Sequence, residues 1–178
     1  MEKLLLSEIA HCLNAECPEE KVITEISTDT RNLPAGCLFI AIKGERFDGH
    51  AFIKQAIENG AAAAVSEYPV DGCPCIVVKN TRTALLKLAK YYRSKFNPVL
   101  VGITGSVGKT TTKEMIALVL SEKYKTLKTQ GNLNNEIGLP KTLFNLDSSY
   151  QAAVIEMGMS DFGEIERLSN TAVPTIGV

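Results

Sequence analysis

Ten consecutive residues carry the strongest chemical signal in this sequence: Gly102-Ile103-Thr104-Gly105-Ser106-Val107-Gly108-Lys109-Thr110-Thr111. They follow an apolar run and open a helix-forming stretch, the context that a phosphate-binding loop requires. Glycines let successive backbone N–H groups converge on an anion, and a helix N-terminus adds a partial positive charge. Lys109 is placed to reach terminal phosphates, and the Thr110 hydroxyl to hold Mg²⁺. The strict pattern G-x-x-x-x-G-K-[ST] is broken at its first position, where Ile103 stands, while Gly105-x-x-Gly108-Lys109-Thr110 is intact. The competing reading is a glycine-rich turn that binds nothing. Gly-Lys-Thr-Thr at a helix start favours the phosphate site.

Two further segments hold residues that suit such a site. Glu156 closes the apolar run Ala152–Glu156, and a carboxylate at the carboxyl end of a parallel strand faces the crevice where such sheets bind ligands. Its oxygens suit Mg²⁺, although a helix-capping role would also explain it. Gly131-Asn132-Leu133-Asn134-Asn135-Glu136 is by composition a turn with an N-cap, and composition leaves its function open. In the first half, Arg31 lies in a Thr-Asp-Thr-Arg turn, and Asp48-Gly49-His50 precede a helix whose N-terminus suits an anion.

The elements that must position these residues divide into two halves. In the first, Val22–Ile26 and Leu38–Ile42 read as strands separated by the turn Leu33-Pro34-Ala35-Gly36. Residues 50–59 read as a helix with Phe52, Ile53, Ala56 and Ile57 on one face, stopped by Gly60; short strands follow at 62–65 and 75–78. A helix over 81–96, with Thr81 as N-cap, connects the halves through Leu85, Leu88, Ala89, Tyr92 and Phe96. Its basic residues suit a solvated face better than a phosphate-attracting one. The second half alternates: a strand at 99–103, a helix at 109–122, a short helix, a strand at 152–156, a helix at 160–169 with Ser160 as N-cap, and a strand from Pro174 to Val178. That alternation predicts three parallel strands joined by right-handed crossovers. The last strand stops at the final residue, so we expect the front part of a longer protein, with an under-covered sheet edge prone to self-association.

Composition sets the boundaries. The 178 residues carry 19 basic and 20 acidic side chains, a balance that excludes a strongly basic nucleic-acid binder. No apolar run approaches a membrane span, and the N-terminus does not read as a signal peptide, so the expectation is a cytoplasmic protein without membrane insertion. Five cysteines confined to the first 75 residues argue against a disulfide framework. Cys73-Pro74-Cys75 is C-x-C, and His11 and His50 are not spaced as zinc ligands, so reduced and mostly buried thiols are expected.

In this order, Thr104–Thr111, Thr129-Gln130-Gly131-Asn132-Leu133-Asn134-Asn135-Glu136-Ile137-Gly138-Leu139-Pro140 and Glu156-Met157-Gly158-Met159 resemble the Mur ligases. Ser27-Thr28-Asp29-Thr30-Arg31 and Lys43-Gly44-Glu45-Arg46-Phe47-Asp48-Gly49-His50 are similar to that family's UDP-sugar-binding domain, and the likeness spans about residues 22–178. The asparagine-rich segment most resembles the branch that joins D-alanyl-D-alanine to UDP-N-acetylmuramoyl-tripeptide.

The resemblance implies an α/β protein: a small UDP-muramoyl-substrate domain at 1–80, a connecting helix at 81–97, and at 98–178 the first part of a parallel-sheet phosphate-loop ATPase domain. It implies an ATP-dependent amide ligase of peptidoglycan synthesis. ATP phosphorylates the tripeptide's terminal carboxylate, and the amine of D-alanyl-D-alanine attacks the acyl phosphate. Carried over by motif, Gly105, Ser106, Val107, Gly108, Lys109, Thr110 and Thr111 cradle ATP, and Asn132, Asn134 and Asn135 line the nucleotide and substrate cleft. Lys109 and Glu156 are the catalytic candidates, and Thr110 and Glu156 the Mg²⁺ ligands. Ser27, Thr28, Arg31, Asp48 and His50 are placed near the uridine diphosphate. The family's central domain runs on to a further metal-binding histidine and a modified lysine, and a third domain follows, so these residues alone are expected to be inactive in ligation. A non-catalytic nucleotide- or UDP-sugar-binding module and another Mur-type ligase are the alternatives. A kinase or GTPase leaves the N-terminal half unexplained.

Overall fold

The computed structural model describes residues 1–44 and 47–178; Glu45 and Arg46, within the Lys43–His50 motif, lie outside the described residues. The chain forms two compact units, Met1–Leu88 and Ala89–Val178. The division falls inside the helix at Thr81–Ser94.

The first unit opens with β1 (Leu4–Leu5) and α1 (Leu6–Leu13), a helix absent from the expectations. Leu6, Ile9, Ala10 and Leu13 bury one stripe at i, i+3, i+4 and i+7, and Asn14 ends the helix in the left-handed region at φ 58°. The strand expected over Val22–Ile26 is two: β2 (Val22–Ile23) pairs antiparallel with β1, and β3 (Ile26–Ser27) joins a different sheet. Between them Thr24 is held by the Gly36 and Ala35 carbonyls, which turns the chain from one sheet to the other. The larger sheet is all parallel, ordered β3-β4-β5-β6, with β4 (Leu38–Ile40), β5 (Ala63–Ser66) and β6 (Cys75–Val77).

The helix expected from His50 begins as a 3₁₀ turn, Gly49–Phe52, and becomes α2 (Ile53–Glu58). Ile53 and Ala56 enter the core with Cys37, Phe39, Ala41, Ala61 and Ala64, while Phe52 stays exposed because the 3₁₀ turn rotates it off the α-helical stripe. The N-cap of α3 (Thr81–Ser94) is Asn80, whose Oδ1 accepts the Thr83 N–H at 2.9 Å. Thr81, expected in that role, gives its backbone N–H to Glu67 Oε1 instead. All five cysteines are free. Only Cys37 is fully buried and Cys17 is exposed, fewer buried thiols than expected. Burial pushes the Cys37 thiol up to about 11, so it stays protonated.

The second unit carries four parallel strands where three were expected, in the order β10-β7-β9-β8. They are β7 (Val99–Ile103), β8 (Thr126–Lys128), β9 (Ala152–Glu156) and β10 (Ile176–Gly177). Every residue of β9 is buried, as an unbroken apolar run in a doubly covered parallel sheet must be. The helices are α4 (Lys109–Ser121), α5 (Gly138–Leu143) and α6 (Glu164–Ala172). The last begins later than expected: Ser160 donates its backbone N–H to Glu164 Oε2, and Gly163 at φ 77° starts the helix. Val101, Ile103, Val154 and Ala117 form the core between sheet and α4. The C-terminal part of α3 is tied in by Tyr92, whose hydroxyl donates to the Leu146 carbonyl at 2.7 Å, and by Arg93, which donates to the Ala172 and Val173 carbonyls at the end of α6. Ile176 and Gly177 lie exposed on the outer strand of the sheet.

Candidate phosphate-binding site

The register of β7 against β9 pairs Ile103 with Glu156. The strand that feeds the glycine loop and the strand that ends in the carboxylate therefore stop side by side, at the carboxyl edge of the two inner strands. The loop turns through Gly105 at φ 143° and Gly108 at φ 79°, conformations that side chains rarely adopt. A Cβ on Gly108 would meet nothing within 4 Å, so the requirement there is conformational. Helix α4 starts immediately after, and its first N–H groups lack intrahelical acceptors.

An open cavity of about 310 Å³ lies over this edge, lined by Ser106, Val107, Gly108, Lys109, Thr110, Thr111, Asn132, Asn134 and Glu156. Lys109 Nζ donates to the Gly105 carbonyl at 2.7 Å, a bond that folds the ammonium back over the loop. The Thr110 hydroxyl donates to Glu156 Oε2 at 3.1 Å, and Asn134 Nδ2 donates to Glu156 Oε1 at 2.9 Å. Glu156 is 2% exposed. Its backbone N–H is satisfied by the buried hydroxyl of Thr129 at 2.9 Å, and Lys113 Nζ stands 3.7 Å from Oε2. Motif reading included Thr129 without giving it a role and missed Lys113. A lysine at the fourth position after Lys109 reads as a solvated helix residue, and only the helix–sheet packing shows it buried.

The asparagine segment divides by role. Asn134 reaches the carboxylate, and its carbonyl accepts the Gly158 N–H at 2.8 Å, which locks the loop to the strand end. Asn132 lines the cavity. Asn135 instead caps α5: its Oδ1 accepts the N–H groups of Ile137 and Gly138 at 3.1 and 2.8 Å. Glu136 pairs with Arg167 and fastens the segment to α6.

The five residues placed near a uridine diphosphate form two clusters in the first unit. Ser27, Thr28 and Arg31 share the turn after β3. There Ser27 Oγ accepts the Asp29 N–H at 3.1 Å, and the Asp29 carboxylate takes both the backbone N–H and the guanidinium of Arg31. The Arg31 side chain is 85% exposed. In the second cluster His50 is buried with both ring nitrogens engaged: Nδ1 lies 2.6 Å from Asp48 Oδ1, and Nε2 accepts the Glu67 N–H at 3.1 Å. Tyr68 stacks on the ring at 4.9 Å. The backbone N–H and ring of His50 hold the Asp48 carboxyl below the usual range. None of the five lines the cavity of about 860 Å³ between α3 and β6, whose walls include Leu13, Glu67, Val77 and Thr83.

An inner-strand glycine loop facing a strand-end carboxylate, in a parallel sheet flanked by helices, defines an α/β domain of the phosphate-loop type. Two family models match the chain, Mur ligase family, catalytic domain over residues 22–93 and Mur ligase middle domain over residues 103–178. The chain belongs to the Mur ligase family. It is 48% identical over 164 residues to UDP-N-acetylmuramoyl-tripeptide--D-alanyl-D-alanine ligase of Synechocystis sp., an alignment covering 90% of this chain and 36% of that protein. The crystal structure of MurF from Acinetobacter baumannii superposes with a TM-score of 0.94 at 37% identity, covering 99% of this chain and 40% of that one. MurF ligase from Thermotoga maritima in complex with ADP gives 0.78 at 38% identity, covering 84% and 35%. The chain thus spans a little over a third of the length of the relatives it matches. Among the described residues, no helix is long and apolar enough to cross a membrane.

Proposed function

We propose that this chain provides the UDP-substrate domain (1–80), connecting helix (81–97) and phosphate-loop region (98–178) of a cytoplasmic, ATP-dependent ligase that joins D-alanyl-D-alanine to UDP-N-acetylmuramoyl-tripeptide through an acyl phosphate. The observation that carries the reading is the meeting of Lys109, Thr110 and Glu156 at one cavity. A carboxylate is a poor acyl donor until one oxygen becomes a phosphate leaving group, so the first task is to hold a nucleoside triphosphate and neutralise its transferring phosphoryl group. The loop N–H groups and the start of α4 bind phosphate oxygens, and Lys109 exchanges the Gly105 carbonyl for them. The donor set beside the loop is all oxygen, a hydroxyl and a carboxylate 3.1 Å apart, which fits a hard divalent cation. Thr110 and Glu156 would hold Mg²⁺, which when bound supplies Lewis-acid neutralisation of phosphate charge. Asn134 orients the carboxylate, and Asn132 stands at the cavity wall. Ser27, Thr28 and Arg31 present hydroxyls and a guanidinium suited to the diphosphate of the UDP substrate, while Asp48 and His50 brace the loop leading into α2.

The test joins these 178 residues to the remaining part of the Synechocystis relative and measures phosphate release. Release that requires UDP-N-acetylmuramoyl-tripeptide, D-alanyl-D-alanine, ATP and Mg²⁺ together is expected. Release with ATP alone, indifferent to both substrates, would overturn the reading. The 178-residue chain by itself is expected to bind ADP and to release phosphate only at background.

A further inference from the structure

Lys113 has no part in the function proposed above, yet it is 1% exposed, among the most deeply buried side chains of the molecule. It sits one turn beyond Lys109 on α4, and its ammonium faces two carboxylates, Glu114 Oε1 at 3.2 Å and Glu156 Oε2 at 3.7 Å. The two are not equivalent. The Glu114 side chain is 48% exposed and is also paired with Lys128, so solvent and a second lysine already serve it. Glu156 is buried, and its other side-chain partners, the Thr110 hydroxyl and the Asn134 amide, are neutral donors. Among the described residues Lys113 is the one cation within ion-pairing distance of Glu156. Two buried ions of opposite sign are tolerated as a pair, and removing either strands the other.

We propose that Lys113 is a positioning residue, the built-in counter-cation of Glu156. It keeps the carboxylate aimed into the cavity and competes with an arriving divalent cation for its oxygens. The inference rests on the reading of Glu156 as a cation-holding group. Competition follows from charge: a metal ion that reaches Oε2 meets an oxygen already shared with an ammonium, and the like charges repel across a poorly screened interior. The site therefore holds a free divalent cation weakly, and filling it depends on the phosphates that accompany the metal.

The experiment measures Mn²⁺ binding to the 178-residue chain, without nucleotide, by the resonance signal of free Mn²⁺, together with thermal unfolding. Wild type is compared with Lys113→Met, Glu156→Gln and the double variant. Lys113→Met is expected to bind Mn²⁺ roughly tenfold more tightly, and Glu156→Gln roughly tenfold more weakly. The double variant should match Glu156→Gln within about threefold, because Lys113 acts through that carboxylate. In the melts, Lys113→Met should lose on the order of 10 °C and the neutral double variant should regain at least half of it. If Lys113→Met fails to fold, a folded double variant establishes the pairing, and a double variant less stable than Glu156→Gln overturns it. Mn²⁺ affinity unchanged or weakened in Lys113→Met, with Glu156→Gln still impaired, sinks this proposal and leaves the Glu156 reading standing. Wild-type affinity in Glu156→Gln removes the cation-site reading and this inference with it.

Discussion

Replacing Lys109 by alanine separates binding from folding, because the side chain is attached to the rest of the molecule by one bond. Its ammonium donates to the Gly105 carbonyl at 2.7 Å, at a partly exposed position of the loop. A solvent-accessible hydrogen bond of that kind contributes about 0.5–1 kcal/mol, equivalent to a loss of roughly 1–4 °C in melting temperature for a chain of this size. On the proposed function, a bound nucleotide draws the ammonium from that carbonyl to phosphate oxygens. Charge-assisted bonds contribute about 1.5–3 kcal/mol, and subtracting the bond given up leaves about 0.5–2.5 kcal/mol. The dissociation constant for ADP with Mg²⁺ should therefore rise by more than about twofold and by up to roughly 70-fold. Isothermal titration of both proteins at one salt concentration measures the first quantity, since phosphate contacts are salt-dependent, and a thermal melt measures the second. ADP affinity within twofold of wild type would refute the assignment of Lys109 to phosphate. A melting temperature lowered by roughly 10 °C would show instead that the lysine supports the fold.

Three further outcomes test the surrounding structure. Asn135→Ala removes the cap of α5 and should cost about 1 kcal/mol of stability while ADP affinity stays within twofold; a tenfold loss of affinity would restore Asn135 to the nucleotide cleft. Tyr92→Phe strips the Leu146 carbonyl of its 2.7 Å donor, and denaturant unfolding should register a loss of about 1–2 kcal/mol, with equal stability counting against that bond. Asp48, held low chiefly by the His50 backbone N–H, contributes stability that is fully present above the ordinary aspartate range and is lost as pH falls through its lowered folded value. Acid unfolding of Asp48→Asn should accordingly show a weaker pH dependence below about pH 4, and superimposable curves would remove Asp48 from the acid response.

How much of the fold could be read from the sequence depended on the length and depth of each element. Strands β7 and β9 are five-residue apolar runs buried on the sheet's inner positions, and their bounds follow from composition. Strand β8 escaped because an edge strand of three residues, Thr126-Leu127-Lys128, buries only Leu127 and leaves no pattern. Helix α1 carries a full apolar stripe, but it starts within a Leu4-Leu5-Leu6 run shared with β1, so periodicity and continuous hydrophobicity overlap there. Thr24 and Glu25 show why one apparent strand became two. The switch of sheets is made by carbonyls from Ala35 and Gly36, ten residues away and more, which no local window contains.

The candidate site was legible in the same proportion as it is local. Lys109 and Thr110 belong to a contiguous motif whose geometry the loop itself dictates. Glu156 was accessible because a carboxylate ending a buried strand has few other uses. What joins them is the pairing of Ile103 with Glu156, and register is a property of the assembled sheet rather than of either segment. Lys113 lies beyond that horizon altogether. On a helix net it is one more basic residue after a phosphate loop, and its meaning depends on which strand α4 covers. Once α4 packs over β9, the lysine has nowhere to reach water and its charge must be answered within the site. Of the two carboxylates that face it, the buried one is the one that the loop's threonine already holds.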